Sequence, residues 1–218
     1  MLTKKLVTCT SRVFKYQLFT SSGTWIRPGG VSEVEVIVIG GAGGGSGYNS
    51  GNATERGGDG GLAIHTSLAV TGDVYVTVGT GGSGAPLAIG SGSSGSGSSF
   101  STVSAGGGTG GITQGAFNSE PVHGSGSGGQ FNAVSHDIKS LYNNLSDEAK
   151  EVTPQLLTQL TSTETLRGEG ADTGSNTRTT YSPSLTWVPG TGGKFGNYQQ
   201  GGSADGGISG AVWVFWYQ

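Results

Sequence analysis

Cysteine occurs once in the 218 residues, at Cys9, so no intrachain disulfide can form and the chain is not a small secreted module stapled by bridges. Charge is scarce as well: 11 lysines and arginines against 14 aspartates and glutamates leave a net charge of −3 on a chain only 11% charged. That balance offers no basic stripe for nucleic acid and no cationic face for an anionic membrane. It suits a particle component or a large oligomer better than a free monomer. His65, His123 and His136 stand apart without metal-ligand spacing, so no metal or other cofactor is expected. No apolar run approaches the roughly 20 residues of a membrane-crossing helix, and membrane insertion is not expected. The start, Met1 to Cys9, carries Lys4 and Lys5 but no apolar core of signal-peptide length.

What is present in excess is glycine, 45 residues of it, gathered into runs at 40–45, 57–61, 105–111 and 124–129. Each glycine forgoes about 0.5–1 kcal/mol relative to alanine, so the set forgoes roughly 20–45 kcal/mol of potential stability and must meet a structural need. There is no strict Gly-X-Y period, which excludes collagen. Glycine plus proline, 45 and 6, stays just under the roughly 25–30% that marks low-complexity disorder. Aromatic residues at 8% and the closing run Ala211 to Tyr217 require a hydrophobic core. The runs are therefore either flexible spacers or segments packed backbone to backbone, and the spacer reading suits Gly90 to Ser99 best.

Strand patterns lie between the runs. Val13 to Thr20 alternates, with Ser21-Ser22-Gly23 as a turn before Trp25 and Ile26, and Arg27-Pro28-Gly29-Gly30 as a second turn. Val31 to Ile39 starts by alternating and ends apolar on both sides at Ile37-Val38-Ile39. Leu62 to Val70 and Val74 to Val78 read as antiparallel neighbours joined through Thr71-Gly72-Asp73. Ile208 to Tyr217 is apolar on both faces, Val212, Val214 and Trp216 on one and Ala211, Trp213, Phe215 and Tyr217 on the other. Such a strand belongs in the middle of a sandwich or against a partner subunit. The glycine-rich stretches from 79 to 97 and from 105 to 129 suit neither strand nor helix. Glycine can adopt the extended three-residue-per-turn helix of polyproline, and without side chains such helices can bundle, each pairing its backbone groups with neighbours. The fold class is thus mainly β: an antiparallel β-sandwich combined with packed polyglycine-II-like helices, plus a small α-helical insertion. One glycine-rich β domain spans 1–218. Its insertion covers 134–167, where glycine thins out to none until Gly168 and Ile138, Leu141, Tyr142, Leu145, Ala149 and Val152 recur at helical spacing. Ser135, Ser146 and Thr153 before Pro154 mark helix starts there, and the insertion is expected to cap one end of the sheets.

Motifs of enzyme chemistry fail on inspection. Val36-Ile37-Val38-Ile39-Gly40-Gly41-Ala42-Gly43 opens like a dinucleotide-binding unit, but Ser46 stands where the third glycine belongs and no helix follows. Spaced glycine triplets at Gly79-Gly81-Gly84, Gly106-Gly108-Gly111 and Gly124-Gly126-Gly129 are expected by chance in so glycine-rich a chain, and none opens a helix. Gly192-Gly193-Lys194-Phe195 lacks the first glycine and the hydroxyl residue of a phosphate loop. Asp59, Asp73, Asp172 and Asp205 are not in a calcium-loop register. Glu33 with Glu35, and Asp147 with Glu148, read as surface charges rather than a converging acid-base pair, so the chain is not expected to be an enzyme. A glycan depolymerase is the competing reading from that class, since its two carboxylates can lie far apart in the chain.

Binding is what remains. Tyr48, Asn49, Asn52, Phe117, Asn118, Phe131, Asn132, Tyr181, Phe195, Asn197 and Tyr198 fall inside or beside the glycine-rich connections. Tyrosine with asparagine, serine and glycine is the composition of adaptable recognition loops, the ring giving contact area at little rotamer cost. The alternative is that these rings wedge between glycine helices as packing. Tyr48, Asn49, Phe117, Phe131, Tyr181, Phe195 and Tyr198 are the candidate receptor-binding residues.

The succession Phe19-Thr20-Ser21-Ser22-Gly23-Thr24-Trp25-Ile26-Arg27-Pro28-Gly29-Gly30-Val31, followed by Val34 to Ile39 and Gly40 to Gly45, resembles the glycine-rich domain of tailed-bacteriophage tail-fibre and tail-tip proteins. The resemblance continues through Gly57-Gly58-Asp59-Gly60-Gly61-Leu62, the strand end Val76-Thr77-Val78-Gly79 and the closing Gly206 to Val214. It covers most of the chain except the insertion and the first dozen residues. It implies a virion component in which β-sheets hold a sandwich of polyglycine helices and loops at the exposed end bind the host. The partners it implies are a host surface receptor, an outer-membrane protein or a surface glycan, and other virion tail proteins. Trimers are common in such fibres, although nothing in the sequence counts subunits. The insertion and the longer strands depart from the tip adhesins and leave open a purely structural tail or fibre-attachment protein.

Overall fold

The computed structural model describes residues 12–47, 57–85, 90–112, 122–135, 141–153, 190, 204 and 206–218. Two five-stranded antiparallel sheets account for nearly all regular structure among them. The first holds β1 (Phe14–Phe19), β3 (Glu33–Ile39), β4 (Gly61–Ala69), β9 (Phe131–Val134) and β10 (Ala211–Tyr217), in the order β1-β10-β3-β4-β9. The second holds β2 (Gly23–Trp25), β5 (Val74–Thr77), β6 (Ser98–Phe100), β7 (Val103–Ala105) and β8 (Gly126–Ser127), in chain order.

Strand alternation decides what each face of the first sheet buries. On the inner face Val34, Val36, Val38, Ala63, Leu68, Val212 and Val214 form one core with Trp25, Val76, Phe100 and Val103 of the second sheet. On the outer face Ile37, Ile39, Leu62, Ile64, Ala211, Trp213 and Phe215 form another, covered by Tyr142, Leu145 and Ala149. β10 lies between β1 and β3 and is buried on both faces, as its two apolar sides require. Burying side chains of this size contributes about 1.5–3 kcal/mol each, so this strand is a major apolar anchor of the sheet. Opposite Glu35 the β3–β4 register slips: Val34 pairs with Leu68 but Val36 with His65. The extra residue in β4 is a bulge that returns Leu68 to the inner face, where a regular strand would turn it outward.

Five expectations are corrected. β4 and β5 flank Thr71-Gly72-Asp73 but belong to different sheets, so the tight connection is a crossing between sheets and not a hairpin. β8 is a strand within a glycine run, pairing Gly126 with Ala105 and Ser127 with Ser104. Residues 90–97 are not a spacer, because Gly92, Ser93, Gly95 and Ser96 all donate backbone hydrogen bonds to other runs and Ser98 begins β6. The described insertion residues cover the outer face of a sheet rather than its end. Within the insertion the helix α1 (Asp147–Val152) starts at Ser146, whose side chain accepts from the Ala149 N–H, as the start signal indicates. Thr153 closes that helix instead of opening another: its N–H donates to the Lys150 carbonyl and its Oγ1 to the Ala149 carbonyl. Ser135 follows β9 and its hydroxyl donates to the Gly190 carbonyl, while residues 136–140 and 154–167 of the insertion lie outside the described ones.

Candidate functional site

The glycine runs 40–47, 57–60, 79–85, 90–97, 106–112, 122–125 and 206–210 are joined by backbone hydrogen bonds whose partner changes with each residue and returns with every third. Gly40 and Gly43 donate to Gly61 and Gly58, Gly41, Gly44 and Gly47 to Ser96, Ser93 and Gly90, and Ala42 to Ile208. The same segment accepts at Gly41 and Gly44 from Gly108 and Gly111, and at Ala42 and Gly45 from Gly82 and Ala85. Residues 40–47 are therefore surrounded by five other runs. Hydroxyls supplement the backbone bonds between runs: Ser98 Oγ accepts from Gly79 in the interior, and at the exposed margin Ser96 Oγ accepts from Thr80 and Ser93 Oγ from Ser83.

Space, not backbone conformation, is what these glycines supply. Of the described glycines only Gly30, Gly128 and Gly190 adopt a positive φ, and Gly30 and Gly128 sit in turns. A Cβ added at Gly41, Gly43, Gly44, Gly58, Gly60, Gly107, Gly108 or Gly110 would instead lie well under 3.0 Å from a neighbouring backbone carbonyl. Gly106, where the nearest atom would be 3.4 Å away, and Gly72, with nothing within 4 Å, are exceptions.

The runs alternate in direction. Residues 40–47 leave the sheets at the end of β3 and 57–60 return to β4; 79–85 leave β5 and 90–97 return to β6; 106–112 leave β7 and 122–125 return to β8. The bonds Gly47 to Gly90, Ala85 to Gly45, Ala204 to Ala85 and Gly111 to Gly44 gather the far ends of the runs at one level. All the connections between paired runs thus start and finish at the end of the bundle away from the sheets.

Tyr48, Asn49 and Phe117 belong by sequence to those connections, and Phe195 and Tyr198 to the segment before Ala204. All five, and Tyr181, lie outside the described residues. Phe131 is described and is not in a connection: it sits in β9 opposite Ile64 and packs half-buried against the outer-face core. Asn132 also lies in β9, its side chain bonded to Gly129 on both sides.

A second feature escaped the sequence. Glu35 reads as a surface charge, but it shares its face with Ile37 and Ile39 and is only 8% exposed. Ser146 holds it, the N–H donating to Oε1 at 3.1 Å and the hydroxyl to Oε2 at 2.5 Å. Burial pushes its carboxyl above the usual carboxylate range, opposed by the two bonds from Ser146. Glu35 lines a cleft of about 130 Å³ with Phe14, Glu33, Thr66, Ser146, Phe215 and Tyr217 among its walls. Phe14 stacks on Phe215 at 6.0 Å and meets Tyr217 edge-on at 5.4 Å. The Tyr217 hydroxyl is pushed up, first by desolvation and then by its hydrogen bond to Glu148. The signal available in the sequence was a carboxylate on the otherwise apolar end of a strand face. Its partner, Ser146, is 111 residues away, beyond the reach of local patterning. The Ser146 hydroxyl is committed to Glu35 and to the helix start, which makes it an anchor for α1 on the sheet. Among the described residues no three of His, Cys, Asp or Glu gather closely enough to hold a metal ion.

Residues 19–217 match the family model of a glycine-rich domain, a span that takes in the second sheet, the first sheet apart from β1, and all the runs. No curated protein matches the chain.

Proposed function

We propose that this chain, which belongs to the glycine-rich domain family, is a bacteriophage tail-fibre or tail-tip protein that binds the host surface through loops on a rigid scaffold. The observation that carries the reading is the gathering of the run ends at one level, away from the sheets. By sequence, Tyr48, Asn49 and Phe117 fall between paired runs and Phe195 and Tyr198 before Ala204, and aromatic and amide residues in such connections are suited to recognition. The scaffold under them is, in this reading, a bundle of left-handed polyglycine-II helices carried on a β-sandwich. The three-residue rotation of hydrogen-bond partners and the absence of room for Cβ atoms support it. A pre-ordered base lowers the entropy lost on contact, and several copies on one particle turn weak contacts into firm attachment. The opening motif from Phe19 to Val31 and its resemblance to phage tail fibres support the virion setting.

A structural role in the tail is the second reading, favoured by the edge strand β1, which leaves Tyr16 51% and Leu18 36% exposed. The experiment is binding of fluorescently labelled protein to whole bacterial cells, with variants in which 48–56 or 113–121 is replaced by glycine and serine. Saturable, strain-specific binding lost in a folded variant is expected. Binding unchanged by both replacements, or none by folded protein on any susceptible host, would overturn the proposal in favour of the structural role.

A further inference from the structure

We propose that the cleft beside Glu35 is a binding site for a primary alkylammonium group of the lysine side-chain type. Three features of the cleft carry this. First, Glu35 is a nearly buried carboxylate with hydroxyl and amide donors from Ser146 but no cation in contact among the described residues; Lys150 pairs with Asp147 instead. A buried carboxylate with no cation in contact is costly, and a cation arriving in the cleft offsets that cost more directly than the attraction of Lys150 does. Second, the remaining walls suit the rest of such a group. The rings of Phe14, Phe215 and Tyr217 line the cleft with apolar surface for a methylene chain, and Glu33 adds a second carboxylate at the rim. Third, the volume fits: about 130 Å³ is close to the roughly 150 Å³ that admits a benzene molecule, and butylammonium is of similar size.

The geometry also selects among cations. A guanidinium binds carboxylate best through two parallel bonds, one to each oxygen. Each Glu35 oxygen already accepts one bond from Ser146 and keeps one free lone pair, of which a compact ammonium needs one whereas the guanidinium fork needs both at once. Binding is coupled to protonation, because the ammonium needs the ionised carboxylate. The charged and titratable groups around it are Glu33 on β3, His65 beside the β4 bulge, Tyr217 on β10, and Glu148 and Lys150 on α1. Since burial raises the Glu35 carboxyl, affinity rises with pH through its titration.

The test is an NMR titration of the full chain, following the backbone amide of Ser146, which donates to Glu35. The probes are n-butylammonium, Nα-acetyl-lysine amide, n-propylguanidinium and n-butanol. Saturable shifts with both ammonium probes are expected, about tenfold or more weaker with the guanidinium and the alcohol, and weakening as pH falls. A lysine side chain from a partner is the source if the lysine amide binds as well as butylammonium; a free amine is the source if only butylammonium binds. Glu35→Gln keeps an acceptor for Ser146 and should remove the response. Glu33→Gln, at an exposed position, should weaken it without unfolding. Equal response to butanol, no saturable shift with either ammonium, or an unchanged response in folded Glu35→Gln overturns the site.

Discussion

Alanine at Gly108 is the sharpest test of the idea that the glycines are there for space. The Gly108 N–H donates to Gly41 at 3.0 Å and its carbonyl accepts from Gly95 at 2.9 Å. An added Cβ would run into the Gly58 carbonyl, which itself accepts from Gly43 at 2.9 Å. Forcing the runs apart costs about 1–3 kcal/mol as overpacking, and weakening two such bonds costs about 1 kcal/mol each. Alanine returns about 0.4–1 kcal/mol by restricting the unfolded chain. The net expectation is a loss of about 2–4 kcal/mol, seen as a fall in Tm of roughly 5–15 °C for a chain of this size. Gly106 is the internal control: same run, same change in backbone entropy, but a Cβ that would meet nothing nearer than 3.4 Å. Gly106→Ala should stay within about 1 kcal/mol of the parent, and Gly72→Ala, in open space, should be neutral or stabilising by about 0.4–1 kcal/mol. Urea unfolding followed by tryptophan fluorescence, with unchanged m-values, would measure all three. If Gly108→Ala and Gly106→Ala lose the same amount, close packing is not why the glycines are present.

Glu35→Gln should raise stability at neutral pH and flatten its dependence on pH. The folded carboxyl titrates above the unfolded value, so the parent is favoured below the ordinary glutamate pKa of about 4.3 and loses that advantage as pH rises through the folded pKa. Denaturant midpoints from pH 4 to 8 give the comparison, and parallel profiles for both proteins would count against a desolvated Glu35. Ser146→Ala removes the helix cap and a bond to Glu35 together; a loss of about 1–3 kcal/mol is expected, with a steeper decline toward higher pH. Ser98→Ala leaves the buried Gly79 N–H without its acceptor and should cost about 1–3 kcal/mol, whereas Ser93→Ala, at the exposed margin, should cost under about 1 kcal/mol by thermal melting.

What could be read from the chain was whatever has a local period. β3 and β10 follow from two-residue alternation, and the inner and outer faces of β10 fall where its valines and large aromatics place them. The Ser146 cap was legible because a serine before two acidic residues is a local signature. β6, β7 and β9 are strands of three or four residues, too short for alternation to stand out from serine and glycine. The bulge in β4 and the passage of β4 and β5 into different sheets are settled by packing, which no window of sequence contains. Glu35 was misjudged because a carboxylate in a strand is normally solvated, and its donor comes from a distant element. Among the candidate receptor-binding residues, Phe131 shows the limit of composition: an aromatic next to glycines can as well be core.

The placement of β10 has a consequence for synthesis. Phe14 pairs with Tyr217 and Ile39 with Ala211, so β1 and β3 have no contact as neighbours until the last described strand is inserted between them. Residues 40–47 likewise need hydrogen-bond partners from as far away as Ile208, and none of the bonds described for them lies within the run itself. Such non-local pairing makes folding slow and leaves the emerging chain without a stable partial product. The first sheet therefore cannot close until β10 has left the ribosome, and the apolar faces of β1 and β3 stay uncovered before then. A chain cut upstream of β10 would lack the strand that joins β1 to β3, and assistance during translation matters most before β10 emerges.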